Sequence, residues 1–177
     1  ARRQKVGRVV FASSDKCYGR SPPPYDENTV MATDRPYESS KACADILAHT
    51  YESTYGMSIA TTRCVNLYGP GHLNFSTLMA GTIRRLINGE RPIVKGNNMA
   101  RDWLYVDDVI DAYLALAESK TTGYFCFGTG KATSVLDVVN KLITIMGSDL
   151  TPSCEIDRIG EIESQWSTYA RAEKELG

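Results

Sequence analysis

The stretch PYESSKACADILAHTYESTYGMSIATTRCV, residues 36–65, joins a helix pattern and a strand pattern in one continuous segment. Apolar side chains recur at spacings of three and four through its first half, which predicts a helix. Pro36 suits the first turn of that helix and Gly56 its end. The β-branched run IATTRCV, residues 59–65, predicts a strand directly afterwards.

The same alternation continues on both sides of this segment. Upstream, VGRVVFA at residues 6–12 predicts a buried strand, and residues 19–35, rich in Pro, Asp, Asn and Thr, predict a loop. The further predicted elements are a loop at 68–74, a helix at 76–88, a strand at 92–95, a turn at 96–98, a helix from Asp107 or Asp108 to Glu118, a strand at 124–127, and helices at 134–146 and 168–176. Alternating strands and helices predict an α/β fold with a parallel sheet and flanking helices.

Composition excludes several classes of function. The chain has 177 residues, with 20 Lys and Arg against 21 Asp and Glu, so it lacks the basic excess typical of nucleic-acid binding. No apolar run approaches the roughly 20 residues of a membrane span, so neither nucleic acid nor a membrane is an expected partner. The odd count of five widely spaced cysteines, without CxxC, favours a reducing cytoplasm. His49 and His72 lack ligand-spaced partners, so we expect no metal site.

Tyr37 and Lys41 lie four residues apart on one face of the predicted helix. A phenol normally titrates too high to act as a base near neutral pH, but a nearby ammonium favours its ionised form. The pair can therefore serve as a general base. On its own, a YxxxK match is more often a solvated tyrosine and lysine.

A second polar group lies upstream, where Ser13, Ser14, Asp15 and Lys16 follow the first predicted strand directly. Side chains at the carboxyl end of a strand line the crevice of an open α/β sheet. The alternative is a polar turn in which Ser and Asp bond the local backbone. Together with YxxxK, the segment indicates an active site.

Six motifs in order resemble the extended short-chain dehydrogenases/reductases that act on nucleotide sugars, the NAD-dependent epimerases and dehydratases. They are VVFASSDKCYG, RPYESSKACAD, TTRCVNLYGPGH, RDWLYVDDVIDAY, FGTGKATSV and ARAEKELG. The resemblance runs over nearly the whole chain. Within the family, Ser14-Asp15-Lys16 is most similar to the 4,6-dehydratases, the CDP-glucose type in particular. Epimerases generally lack the acid at that position, but a 4-epimerase remains the alternative reaction.

For catalysis, the resemblance implies oxidation at C4 of the sugar, loss of water across C5–C6 and return of hydride to C6. Tyr37 would deprotonate the C4 hydroxyl, and Lys41 would lower the proton affinity of Tyr37. Ser14 would hydrogen-bond the C4 oxygen, and Asp15 would protonate the departing C6 hydroxyl as general acid. Lys16 occupies the position of the base for C5, where either the lysine or a water serves.

For binding, the resemblance implies NAD, rather than NADP, beside Ser13, Tyr37 and Lys41. It implies a nucleotide-diphosphate sugar as substrate. The substrate-binding residues would be Asn66 and Asn74 as amide donors, Arg101 at the diphosphate and Arg91 near the base. The planar guanidinium of Arg101 suits phosphate oxygens, although an ion pair with Asp102 is the alternative role for it.

The family's GxxGxxG turn, which brings backbone amides to the pyrophosphate of NAD, is absent from the sequence. We therefore expect a partial Rossmann-like fold. Residues 1–68 would form the C-terminal part of the NAD-binding domain, and residues 69–177 mainly a small α/β nucleotide-sugar-binding region with segments that return to the sheet.

Two classes of function follow from that missing turn. The first is an enzyme whose NAD site other residues complete. The second is a non-catalytic module that binds a nucleotide sugar or pairs with another chain through an exposed sheet edge. The resemblance also implies a homodimer formed through the helix that carries Tyr37.

Overall fold

The structure is a computed structural model that describes residues 1–96, 99–155 and 162–177. The strands are β1 (Val9–Ala12), β2 (Ile59–Cys64), β3 (Asn66–Tyr68), β4 (Ile93–Lys95), β5 (Ala100–Arg101), β6 (Trp103–Tyr105), β7 (Gly123–Phe127), β8 (Thr133–Ser134), β9 (Ser153–Glu155) and β10 (Ser164–Gln165). The α-helices are α1 (Pro36–Tyr55), α2 (Leu78–Ile87), α3 (Val106–Glu118), α4 (Val135–Ile145) and α5 (Ala170–Leu176). Short 3-10 helices occupy Arg2–Gln4 and Asp15–Tyr18.

The main sheet has the strand order β1-β2-β7, and both of its pairings are parallel. All six residues of the central strand β2 are buried, as expected for a parallel strand covered on both faces. Helices α1, α3 and α5 pack against β2, β1 and β7 respectively. The prediction of an α/β fold with a parallel sheet and flanking helices is confirmed.

The remaining strands form smaller pairings beside this sheet. Strand β5 pairs in parallel with β10 and antiparallel with β8, while β3 pairs with β6 and β4 with β9. Helices α2 and α4 contact each other over a separate apolar cluster that includes Val94, Met99 and Val139. The division into residues 1–68 and 69–177 remains a prediction.

The loop predicted at residues 19–35 folds back over the end of the main sheet. Gly19 forms a bridge to Ala32, and Tyr25 forms one to Ser167. Gly19 has a φ of +57°, and a Cβ there would collide with the Ala32 carbonyl oxygen. Glycine is therefore needed at this close approach of two backbone segments.

Several boundaries differ from the predicted ones for local reasons. Helix α3 begins at Val106 rather than at an aspartate cap, because β6 leads directly into it, and Asp107 and Asp108 occupy its first turn. The negative charges of these two aspartates interact favourably with the positive end of the helix dipole. Helix α2 begins at Leu78, because Ser76 is held by the side chain of Asn74. In the predicted turn at 96–98, positions 97 and 98 lie outside the described residues.

Across residues 1–96, 99–155 and 162–177, no helix is long and apolar enough to span a bilayer. In the same part of the chain, no cluster of three His, Cys, Asp or Glu side chains is arranged to hold a metal ion.

Candidate active site

The segment after β1 forms a compact turn around a buried carboxylate. Ser14 caps the 3-10 helix Asp15–Tyr18, because its Oγ accepts the Lys16 N–H at 3.3 Å. Asp15 is only 1% exposed. The Lys16 ammonium donates to Asp15 Oδ1 at 3.1 Å and to Oδ2 at 3.3 Å. The polar turn left open by the sequence is therefore real, and it also encloses an ion pair.

Tyr37 and Lys41 lie on one face near the start of α1, with the tyrosine exposed and the lysine partly buried. The Tyr37 side chain is 61% exposed, and Lys41 Nζ lies 5.8 Å from the centroid of its ring. Helix α1 packs against the 3-10 helix, with Ala42 and Cys17 in one buried cluster. The two groups predicted to act in catalysis thus lie on elements in direct contact.

Two polar atoms near these groups are buried and lack a hydrogen-bond partner among the described residues. They are the Ser13 hydroxyl oxygen, just beyond the end of β1, and Oε2 of Glu38. Glu38 follows Tyr37 and is 7% exposed. Buried polar groups without partners are rare and often belong to a binding or catalytic site. Sequence reasoning missed Glu38, because nothing in its spacing shows that it faces inward.

Burial keeps two neighbouring groups protonated. Desolvation raises the pKa of the Tyr25 phenol, and the charges of Asp15 and Glu38 add to this rise. A hydrogen bond with the Gln165 side chain and the charge of Arg101 oppose it. Desolvation also raises the pKa of the Cys17 thiol to about 12. Both side chains are therefore neutral near pH 7, and the Cys17 thiol is not a nucleophile.

A cleft of about 670 Å³ opens among α2, β4, β5 and β6. Its polar and basic lining residues are Asn66, His72, Ser76, Thr77, Thr82, Arg85, Lys95 and Arg101. Several cationic side chains around one concave surface favour an anionic ligand. Sequence reasoning identified Asn66 and Arg101 but missed Arg85 and Lys95, which have no motif of their own.

The four predicted substrate-binding residues do not all meet at this cleft. Asn66 Nδ2 donates to the Asp102 carbonyl at 3.1 Å, while Arg101 donates to the Ala100 carbonyl at 2.8 Å. Asn74 instead accepts from Ser76 in the preceding loop. Arg91 donates to the Thr151 carbonyl at 3.0 Å. Asn74 and Arg91 are not among the lining residues, and their binding roles remain predictions.

Gln165 connects the two parts of the site. Its side-chain oxygen accepts from Lys16 Nζ at 2.9 Å, and its backbone is the register partner of Arg101 in the β10–β5 pair. Sequence reasoning missed Gln165, because 149 positions separate it from Lys16 and only the folded chain brings them together.

A parallel sheet with Ser-Asp-Lys after one strand and YxxxK on the following helix defines a protein of the short-chain dehydrogenase/reductase class. The NAD dependent epimerase/dehydratase family matches residues 1–124, and the chain belongs to that family.

The relatives of the chain include dehydratases and epimerases. The dTDP-glucose 4,6-dehydratase of Actinoplanes sp. is 30% identical over 181 residues, which cover 100% of this chain and 56% of that protein. The chain spans about half the length of the curated relatives it matches. The UDP-glucose 4-epimerase of Thermotoga maritima, solved with UDP-glucose, has a TM-score of 0.92 and 27% identity, covering 99% of this chain and 59% of its own. The dTDP-glucose 4,6-dehydratase DesIV of Streptomyces venezuelae, solved with NAD bound, has a TM-score of 0.89 and 28% identity, covering 97% and 54%.

The residues of this chain fit one end of a nicotinamide dinucleotide. Tyr37 and Lys41 present polar groups at the surface, and the Ser13 hydroxyl, buried and without a partner among the described residues, offers a further hydrogen bond. At the other end, β1 leads into the Ser14-capped turn rather than into a glycine turn and a helix. Among the described residues, these groups suit the ribose end of the cofactor better than its pyrophosphate, and their role in binding remains a prediction.

Proposed function

We propose that this chain carries the catalytic and substrate-binding groups of an NAD-dependent nucleotide-sugar 4,6-dehydratase. The reaction oxidises C4, removes water across C5–C6 and yields a 4-keto-6-deoxy sugar. The observation that carries the proposal is Asp15, a buried carboxyl group held by Lys16 beside the helix that presents Tyr37. NAD, when bound, supplies the hydride acceptor and donor.

Each catalytic side chain has one proton to hold or move. Tyr37 Oη accepts the proton of the C4 hydroxyl, and the Lys41 ammonium lies 5.8 Å from the centroid of the Tyr37 ring. The Ser14 hydroxyl hydrogen-bonds the C4 oxygen and orients it. In its protonated form, the Asp15 carboxyl gives a proton to the C6 hydroxyl, which leaves as water. The carboxylate that results is the form that pairs with Lys16 in the structure. The acceptor of the C5 proton is either Lys16 or a water.

The cleft supports a nucleoside-diphosphate sugar as the substrate. A diphosphate needs cationic donors, and Arg101, Arg85 and Lys95 line the cleft together with the amide of Asn66. The register pairing of Arg101 with Gln165, which contacts Lys16, links this cleft to the acid site.

We expect Arg101→Ala to weaken the binding of dTDP, CDP or UDP by about 10- to 100-fold, the range for a lost charged hydrogen bond. Isothermal titration of the purified chain measures this change. Arg3→Ala removes the same charge from an exposed position outside the cleft and serves as the control. An unchanged Kd for a folded Arg101→Ala variant contradicts the assignment of the diphosphate to this cleft.

The shape of the main sheet supports completion of the NAD site by a further half-domain. Within the described residues, β1 pairs on one side only, with β2. An apolar groove of about 370 Å³ adjoins β1 and is lined by Val9, Phe11, Leu47 and Tyr51 among others. A strand and helix that carry a glycine turn would extend the sheet at this edge and cover the groove. We call the form that turns over the active form, whether it is the chain with NAD or the chain joined to such a half.

A homodimer through α1 is part of the proposal. The helix exposes Ile46 and Tyr55, which do not line the groove beside β1, and large exposed apolar side chains can contribute to an interface.

In the active form, we expect Asp15→Asn to slow elimination about 100-fold while C4 oxidation changes less than about threefold, because only elimination needs the acid. Rapid-mixing measurements of NADH formation and of product formation separate the two steps. Asp34→Asn, a change at an exposed carboxylate, is the control. Equal loss of both steps contradicts the role of Asp15 as acid.

A 4-epimerase is the second candidate, favoured by the similarity to the Thermotoga maritima epimerase. Elimination requires removal of the C5 hydrogen, so turnover in deuterated water places deuterium at C5 only if the enzyme is a dehydratase. Inversion at C4 without deuterium at C5 identifies an epimerase. Binding of nucleotide sugar without turnover identifies a non-catalytic module.

A further inference from the structure

The Lys16 ammonium makes three hydrogen bonds. It donates to Asp15 Oδ1 at 3.1 Å, to Asp15 Oδ2 at 3.3 Å and to Gln165 Oε1 at 2.9 Å. An ammonium group has three N–H donors and no acceptor. The three contacts therefore match the three N–H donors of the lysine, and the shortest hydrogen bond is the one that Lys16 donates to Gln165.

The orientation of the Gln165 amide follows from this contact. Its oxygen must face Lys16, because the amide nitrogen could only place a donor against a donor. Gln165 is 2% exposed, and besides Lys16 its side chain interacts with the Tyr25 phenol, whose pKa it lowers. The oxygen of this buried amide is thus committed to the lysine.

The backbone of Gln165 is fixed independently of the segment that holds Lys16. Strand β10 pairs in parallel with β5, and the Gln165 carbonyl accepts the Asp102 N–H at 3.0 Å. The acceptor for Lys16 is therefore held by the sheet beside the cleft and does not move with the turn after β1.

We propose that Gln165 is a positioning residue that holds the Lys16 side chain against Asp15. A lysine held by three acceptors acts as a donor and stabilises the carboxylate that Asp15 leaves after giving up its proton. Of the two acceptors for the C5 proton, this geometry favours water over Lys16. The last two statements rest on the proposed function, but the positioning of Lys16 by Gln165 does not.

The test uses the purified chain and N-hydroxysuccinimidyl acetate, which acylates neutral amines. Mass spectrometry of peptides gives the acylation rate of Lys16, a partly exposed side chain, relative to that of Lys120, an exposed lysine on the same molecule. We expect Gln165→Met, which removes the acceptor at similar volume, to raise this ratio about tenfold. Gln165→Glu adds a negative charge and should lower it about threefold or more.

Opposite responses of the two variants distinguish positioning from packing. A purely structural role would change the ratio in the same direction in both variants, or in neither, and either result in chains with native circular dichroism overturns the proposal. If Gln165→Met fails to fold, the response of Gln165→Glu decides alone, because glutamate has the same size. Neither acylation measurement depends on turnover. Failure of the Gln165 proposal can therefore be distinguished from failure of the dehydratase proposal, which is tested by deuterium at C5.

Discussion

Asp45→Ala is expected to lower the free energy of unfolding by about 3–5 kcal/mol, because it leaves the Arg63 guanidinium buried without its counter-charge. Arg63 and Asp45 are 2% and 0% exposed. Arg63 Nη2 donates to Asp45 Oδ1 at 2.8 Å, and Nε donates to Oδ2 at 3.1 Å. This two-point contact joins α1 to the central strand β2.

Removal of Asp45 also disturbs the groups around Arg63. The guanidinium donates to the Tyr18 hydroxyl at 2.9 Å and to the Glu27 carbonyl at 3.2 Å, and it lies 3.7 Å from the centroid of the Tyr124 ring. These contacts do not supply a negative charge. The buried guanidinium would therefore remain without a counter-charge, which destabilises the folded state.

Urea unfolding followed by circular dichroism measures the change from the shift of the midpoint. Glu175→Ala is the matched control, because it removes the carboxylate from the i,i+4 pair with Arg171, in which both side chains are 31% exposed. The loss there should be about 0.3–0.5 kcal/mol. A loss below about 1 kcal/mol for Asp45→Ala would show that water reaches Arg63 and that the pair does not anchor α1.

The Arg63–Asp45 pair shows which part of the fold the sequence could not predict. The helix at α1 and the strand at β2 follow from local periodicity, Pro36 and Gly56, and the structure confirms both. The ion pair depends on the angle at which that helix crosses the strand, and no residue spacing encodes this angle. Strands of two or three residues, such as β5 and β10, are too short to show a period, so they were also missed.

The candidate site also contains residues that the sequence could predict and residues that it could not. Ser14, Asp15 and Lys16 are contiguous, and Tyr37 and Lys41 share a helix face by spacing alone, so local patterns suffice to find them. Gln165, Glu38 and the cleft residues Arg85 and Lys95 enter the site only through tertiary packing. Arg91 lies on an irregular segment whose path the sequence did not determine, and in the structure it contacts the Thr151 carbonyl.

Tyr37→Phe is expected to lower the turnover number of the active form by roughly 10³- to 10⁴-fold, in the upper part of the range for loss of a general base. The phenol oxygen is the proposed proton acceptor for the C4 hydroxyl, and phenylalanine removes only that atom. The side chain is exposed, so folding should not change. Steady-state kinetics with dTDP-glucose or CDP-glucose give the turnover number, and titration with the nucleoside diphosphate should give an unchanged Kd.

Tyr169→Phe is the matched control, because Tyr169 is 43% exposed and lines neither the cleft nor the groove beside β1. It should change the turnover number less than about twofold, well below the effect expected at a general base. If Tyr37→Phe retains more than about a tenth of the activity, another group must accept the C4 proton. Burial raises the pKa of the Tyr25 phenol, which also feels the charge of Asp15, and keeps it protonated. A surviving activity would therefore contradict the dehydratase mechanism at its first step.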